Sequence, residues 1–185
     1  MNKLVQFLKS FLQKKRGWLF LMVAMIVLCA SFMSTENTPP GYTGSPADDK
    51  DCSSCHRAKA KTLDDLISIE GSNGTYAPLK TYEVLVNLKG NEKSTKFGFQ
   101  ISPQSPKGKL MGQIEVTDPK QTKKAKGKYL NQTAAGVDGK GEKTWSFGWT
   151  APPKGTGAVT FYGSFLIGGK PEIVYNSTLI LKEKQ

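Results

Sequence analysis

The sequence predicts an all-β fold, an antiparallel β-sandwich of immunoglobulin-like class. Three observations predict it. Several segments alternate apolar and polar residues with period two, chain breakers separate them, and no long amphipathic helix appears after the first 33 residues. Alternation places one face of each strand on a core and the other in water. Seven or eight short antiparallel strands of this kind close most simply as two packed sheets.

The elements follow in order. Residues 1–33 read as a membrane-targeting helix, a signal peptide or signal anchor. Lys3, Lys9, Lys14, Lys15 and Arg16 precede an uncharged apolar stretch from Trp18 to Met33, and the first acid of the chain is Glu36. A basic segment before a short apolar one directs export. The small residues Cys29, Ala30 and Ser31 offer a cleavage site, the long basic part suits a retained anchor, and Cys29 suits lipidation poorly because Leu28 precedes it. Each variant places the rest of the chain outside the cytoplasmic membrane, in the periplasm or on the membrane's outer face.

Residues 34–65 read as a linker and arm. Thr38-Pro39-Pro40-Gly41-Tyr42-Thr43-Gly44-Ser45-Pro46 cannot make a helix or a central strand. Arg57 to Asp65 has room for about two helical turns. The sandwich occupies residues 66–185. Its candidate strands are residues 82–88, 97–101, 112–117, 143–149, 158–165 and 173–180, with breakers at Lys89-Gly90-Asn91, Ser102-Pro103, Asp118-Pro119, Asp138-Gly139-Lys140-Gly141, Pro152-Pro153 and Gly168-Gly169. Trp145 and Trp149 are four apart on one strand, so they share a face, and they read as core.

The chain carries 26 basic and 15 acidic side chains. Five of the basic ones belong to the targeting segment, so the exported part is only moderately basic and implies no nucleic-acid partner. Lys120, Lys123, Lys124, Lys126 and Lys128 read as a solvated loop; docking of an acidic partner or anionic lipid is their other reading.

The chemistry lies in Cys52-Ser53-Ser54-Cys55-His56. Cys-x-x-Cys-His is the attachment signature of c-type haem. Two thiols at this spacing add to the two vinyl groups of one porphyrin, and the next residue delivers an imidazole to the iron. His56 is the only histidine of the chain, and Cys52 and Cys55 are the only cysteines of the exported part. One covalent haem c is therefore expected, on Cys52 and Cys55, with His56 as axial ligand. Met111, the only methionine after the targeting segment, is the candidate sixth ligand, against an ordinary core role.

Three other readings of the motif stay open. An oxidising compartment permits a Cys52–Cys55 disulfide. A thiol-disulfide oxidoreductase needs an α/β fold that this pattern lacks. Zinc needs a fourth donor beyond Cys52, Cys55 and His56, which Asp48, Asp49 or Asp51 would have to supply.

Gly41-Tyr42-Thr43-Gly44-Ser45-Pro46 ahead of Cys52-Ser53-Ser54-Cys55-His56 resembles the opening of bacterial reelin-domain-like proteins, also called choice-of-anchor V domains. Phe97-Gly98-Phe99-Gln100, Tyr129-Leu130-Asn131-Gln132-Thr133, Trp145-Ser146-Phe147-Gly148-Trp149-Thr150-Ala151-Pro152 and Val159-Thr160-Phe161-Tyr162 are similar too. The resemblance covers about residues 39–182. It implies a β-sandwich related to the reeler domain of extracellular animal proteins, with the haem motif on its N-terminal arm. Where members often carry a histidine, this chain has Gln132. A histidine that served as a distal ligand would be missing here, whereas a structural one is replaceable by an amide.

The expected function is a single-haem electron carrier at the cell envelope, membrane-held through its N-terminal segment and docking on a redox partner protein or a larger envelope complex. The alternative is an envelope adhesion or binding module whose cysteines form a disulfide and hold no haem. No catalytic Ser-His-Asp set or paired carboxylates can be assembled, so no enzyme activity is expected. Haem catalysis ranks last because a second histidine is lacking.

Overall fold

The computed structural model describes residues 38–185. The predicted membrane-targeting helix and Cys29 lie outside the described residues. Strands in chain order are β1 (Ala60–Thr62), β2 (Ile67–Ile69), β3 (Thr75–Tyr76), β4 (Thr81–Lys89), β5 (Lys96–Gln104), β6 (Gln113–Glu115), β7 (Thr122–Ala125), β8 (Tyr129–Gln132), β9 (Glu142–Thr150), β10 (Val159–Gly168) and β11 (Ile173–Glu183). They form a sandwich. One sheet runs β2-β4-β9-β6. The other runs β1-β11-β10-β5-β8-β7, with β3 also paired to β11.

The alternation read in the sequence makes the core. Tyr82, Val84, Val86 and Leu88 of β4 are buried, and they stand opposite Trp149, Phe147, Trp145 and Lys143 of β9 in antiparallel register. From the other sheet come Phe97, Phe99 and Ile101 of β5, Phe161 and Phe165 of β10, and Leu181 of β11. The two layers meet through aromatic pairs: Phe99 lies 4.7 Å from Trp145, and Phe161 lies 5.0 Å edge-on to Trp149. Each such side chain contributes about 1.5–3 kcal/mol by leaving water. Both indole N–H groups are satisfied inside the core, Trp145 Nε1 donating to Gly136 O and Trp149 Nε1 to Met111 O, each at 2.9 Å.

Three sequence expectations differ from what is found. Residues 57–65 form no helix; β1 pairs parallel to β11, Ala60 opposite Val174. A two-turn helix is marginal in isolation, whereas the open side of β11 offers ladder bonds. The lysine run is not all loop, since Lys123 and Lys124 sit in β7, an edge strand antiparallel to β8. The Ser102-Pro103 breaker does not end β5, which continues to Gln104. Pro103 points its carbonyl away from β10 to the Met111 N–H at 3.0 Å. Pairing of β5 with β8 is confined to Gln100 and Ile101, so the N–H that proline lacks is not missed by a ladder.

One feature of β5 positions the functional site. A sandwich strand normally shows water its outward residues, yet outward-facing Gln100, Ser102 and Gln104 are fully buried, as is Ser164 of β10. The segment from Thr38 to His56 covers them.

Candidate functional site

The covering segment is an arm clasped to the sheet by side chains. Pro39 and Pro40 prevent ladder formation, and Gly41 and Gly44 take left-handed backbone angles (φ 93° and 75°) that favour glycine. The backbone polar groups of the arm therefore need partners from elsewhere. Gln100 supplies them: its Oε1 accepts the N–H of Gly41 at 2.8 Å and of Tyr42 at 2.6 Å, and its Nε2 donates to Pro39 O at 2.8 Å and Asn131 Oδ1 at 3.0 Å. Asn131 Nδ2 donates in turn to Thr38 O at 3.1 Å. Gln132 joins β5 to the arm, accepting the Phe99 N–H at 2.7 Å and donating to Thr38 Oγ1 at 3.4 Å.

Asp48 is the second clasp. Its carboxylate accepts the hydroxyls of Thr43 at 2.5 Å and Tyr129 at 2.6 Å, with Lys128 Nζ at 3.6 Å. Burial alone would raise its pKa. The Thr43 and Tyr129 hydroxyls and the Lys128 charge outweigh burial and hold it below the ordinary carboxylate value. Tyr129 is pushed upward, by burial and by the anion it bonds.

The cysteine motif forms one tight turn. Asp51 caps the short 3₁₀ turn Cys52–Ser54, accepting the Ser53 N–H at 2.8 Å, and the Ser54 hydroxyl accepts the Asp51 N–H at 3.3 Å. Asn176 Nδ2 on β11 holds the other oxygen of Asp51 at 2.7 Å. Cys52 O accepts the N–H groups of Cys55 and His56 at 3.3 and 3.0 Å, so the five residues of the motif wrap around one carbonyl. In 3₁₀ geometry side chains three apart share a side, which suits two thiols that act together.

The two thiols nevertheless differ in environment. Cys55 is exposed, while Cys52 is buried, with its N–H on Ser164 Oγ at 3.0 Å. Burial pushes the Cys52 thiol up to about 11; the Ser164 hydroxyl offsets this in part, and Asp51 and Cys55 add to it. Such a thiol is a poor nucleophile while it stays buried.

His56 stands at the end of the turn. Its Nδ1 lies 3.1 Å from Glu172 Oε1, both side chains being about one-third exposed (37% and 35%). Glu172 precedes β11, and nothing in the local sequence pairs it with His56, 116 residues earlier.

Met111 is not brought to this site. It belongs to the core between the sheets, beside Trp149, whereas Cys52 meets β10 through Ser164 on the outward face. The seven-stranded sheet separates the two. Among the described residues no three His, Cys, Asp or Glu side chains converge as metal ligands. Sequence reasoning missed Gln100, Ser164, Asn176 and Glu172. For the first three the only signal was a polar residue at an outward strand position, which ordinarily means solvent; for Glu172, ahead of β11, there was none.

With this geometry in view, the comparisons with known proteins bear on the fold. No family model matches the chain, and no curated protein matches it. Solved structures do. The human F-spondin reeler domain (fragment 1) is similar at 19% identity and a TM-score of 0.54, over 70% of this chain and 97% of that one. The Reelin-N domain of F-spondin follows at 20% and 0.54, over 69% and 93%. A second fragment of the human domain gives 22% and 0.51, over 67% and 96%. The fold is that of a reeler-like β-sandwich.

A c-type haem can be tested against the residues. A neutral imidazole whose Nδ1–H is held by a carboxylate keeps its Nε2 lone pair for a metal, and His56 has that partner. Cys55 is open to solvent and Cys52 shares its turn. The donor set fits at His56 and Cys55. At Cys52 it fits only with a condition: the side chain is buried against β10, so this thiol would have to meet the porphyrin before the arm closes.

Proposed function

We propose that this chain is an exported β-sandwich binding module of the cell envelope whose clasped arm carries one covalent haem c. The likeness to reeler domains supports the module. The observation that carries the haem is the His56–Glu172 pair at 3.1 Å beside an exposed Cys55. Cys52 and Cys55 would hold the porphyrin, and His56 Nε2 would hold the iron. When bound, the group supplies one-electron exchange. The chain's own part is to fix the imidazole-bearing turn: Asp51 and Asn176 hold its start, Ser164 its first N–H, and Glu172 its last side chain. The sandwich is the body that docks on a redox partner or envelope complex, and residues 1–33 keep it at the membrane.

A second reading is the same module without haem, its cysteines closing a structural disulfide. The burial of Cys52 favours it, because a buried sulfur suits a structural link better than an exposed prosthetic group.

The deciding experiment expresses the full chain with a c-type maturation system. A haem stain that survives denaturing electrophoresis, with a c-type pyridine haemochrome spectrum, is expected. Loss of both in the Cys52→Ala/Cys55→Ala protein completes the test. A colourless wild type returns the disulfide-stapled module.

A further inference from the structure

We infer that Glu172 is the positioning residue of His56: its carboxylate fixes the imidazole with the proton on Nδ1 and the lone pair on Nε2, aimed at the iron of the proposed haem. The inference rests on the haem reading above and extends it to a residue far outside the motif.

An ionised carboxylate only accepts hydrogen bonds. A neutral imidazole has one N–H, so a bond between Glu172 Oε1 and His56 Nδ1 at 3.1 Å requires that the proton be on Nδ1. Histidine free in water prefers the proton on Nε2, the atom a haem iron would take. The carboxylate therefore reverses the intrinsic preference and leaves Nε2 ready. Metal-bound histidines are commonly held in this way by an outer carboxylate, which also makes the ring a stronger donor.

Both ends of the contact are fixed by the fold. His56 is tied back by its N–H to Cys52 O, and Cys52 is tied to Ser164 of β10. Glu172 immediately precedes Ile173, which stands opposite Ile167 in the β10–β11 ladder. Strands β10 and β11 thus hold both partners, one through Ser164 and the other through the hairpin that joins them.

A stronger donor opposite the porphyrin stabilises oxidised iron. Removing the charge therefore moves the midpoint potential to more positive values. Glu172→Gln keeps an accepting oxygen and removes the charge; Glu172→Ala removes both.

Two measurements test this. The first uses the haem-free full chain in detergent, ¹⁵N-labelled, where His56 is the only histidine and gives an unambiguous spectrum. With the ring neutral in alkaline buffer, long-range ¹H–¹⁵N correlation should show Nδ1–H in the wild type and a return to Nε2–H in Glu172→Ala. The second is a redox titration of the haem-loaded protein. A positive shift of the midpoint in both variants, larger in Glu172→Ala, is expected. An Nε2–H wild type overturns the inference whatever the haem content. A loaded protein whose midpoint ignores both substitutions overturns it too. A wild type that shows Nδ1–H and takes up no haem overturns the haem reading and the positioning role together, and leaves the contact as a surface pair.

Discussion

Tyr129 and Asp48 lie 81 residues apart, and the tyrosine hydroxyl donates to Asp48 Oδ1 at 2.6 Å. This bond joins β8 to the arm and closes the outward face of β5 to water. Its strength comes from the charge on its acceptor.

Tyr129→Phe should cost about 1.5–3 kcal/mol in urea unfolding, the range for a bond to a charged group. Asp48 would keep Thr43 and Lys128 as partners. Native-state hydrogen exchange should show the arm amides, including those of Gly41 and Tyr42, losing protection before any core strand does. Equal loss across arm and core would mean that the arm is not a separate unit of opening.

Acid should release the arm. Asp48 and Asp51 both have folded pKa values below the ordinary carboxylate value, burial being outweighed by their hydrogen bonds. A depressed carboxylate stabilises fully above its unfolded pKa, and that stability disappears as pH falls through the folded value. Thermal midpoints should thus be level from about pH 7 to pH 5 and drop below about pH 4. Asp48→Asn should lower the neutral-pH midpoint and flatten this drop. A slope unchanged by the substitution would assign the acid sensitivity elsewhere.

Thiol labelling should separate the cysteines. In reduced, haem-free protein carrying Cys29→Ala, an alkylating reagent should modify exposed Cys55 quickly and Cys52 slowly, since burial holds the Cys52 thiol up to about 11. Cys55→Ala should change stability by no more than about 0.5 kcal/mol, as surface substitutions do. Equal labelling rates would mean that the turn opens readily.

Met111→Leu should leave the spectrum of haem-loaded protein unchanged and cost less than about 1.5 kcal/mol, as a volume-conserving core change. Met111→Ala should cost about 2–5 kcal/mol. Loss of a six-coordinate spectrum in Met111→Leu would contradict the placement of Met111 between the sheets.

Gly112→Ala should be costlier than its size suggests. Its φ is +78°, and an added Cβ would lie 2.3 Å from Thr150 O and 2.7 Å from Trp149 Nε1. Left-handed backbone alone costs about 1–2 kcal/mol in a non-glycine residue, so a loss above about 2 kcal/mol is expected in chemical unfolding.

The long strands were legible because period two is a local property. Residues 82–88 and 143–149 were read from alternation, and they form the centre of the smaller sheet, with Trp145 and Trp149 in the core as their spacing required. Of the short strands, β6 lies inside the segment read from alternation, but others were not legible. β1, β3 and β7 run for only two to four residues, and their pairing is decided by partners far along the chain. The five residues of the motif stand together in the sequence and in one turn of the fold. The motif's surroundings were not legible, because Gln100, Ser164 and Asn176 look like solvent-facing residues until the arm is laid over them.

The clasp also has a mechanical consequence. Tension applied to the chain ahead of Thr38 reaches Asn131, Gln132 and Gln100 first, through side-chain bonds to Thr38 and Pro39. Bonds arranged in series along an arm break one after another at low force, unlike a strand ladder loaded along its length. The arm would therefore peel from Thr38 toward Asp48 and reach the cysteine turn last, leaving the sandwich unloaded until then. Such a segment would give extensible slack ahead of the folded body.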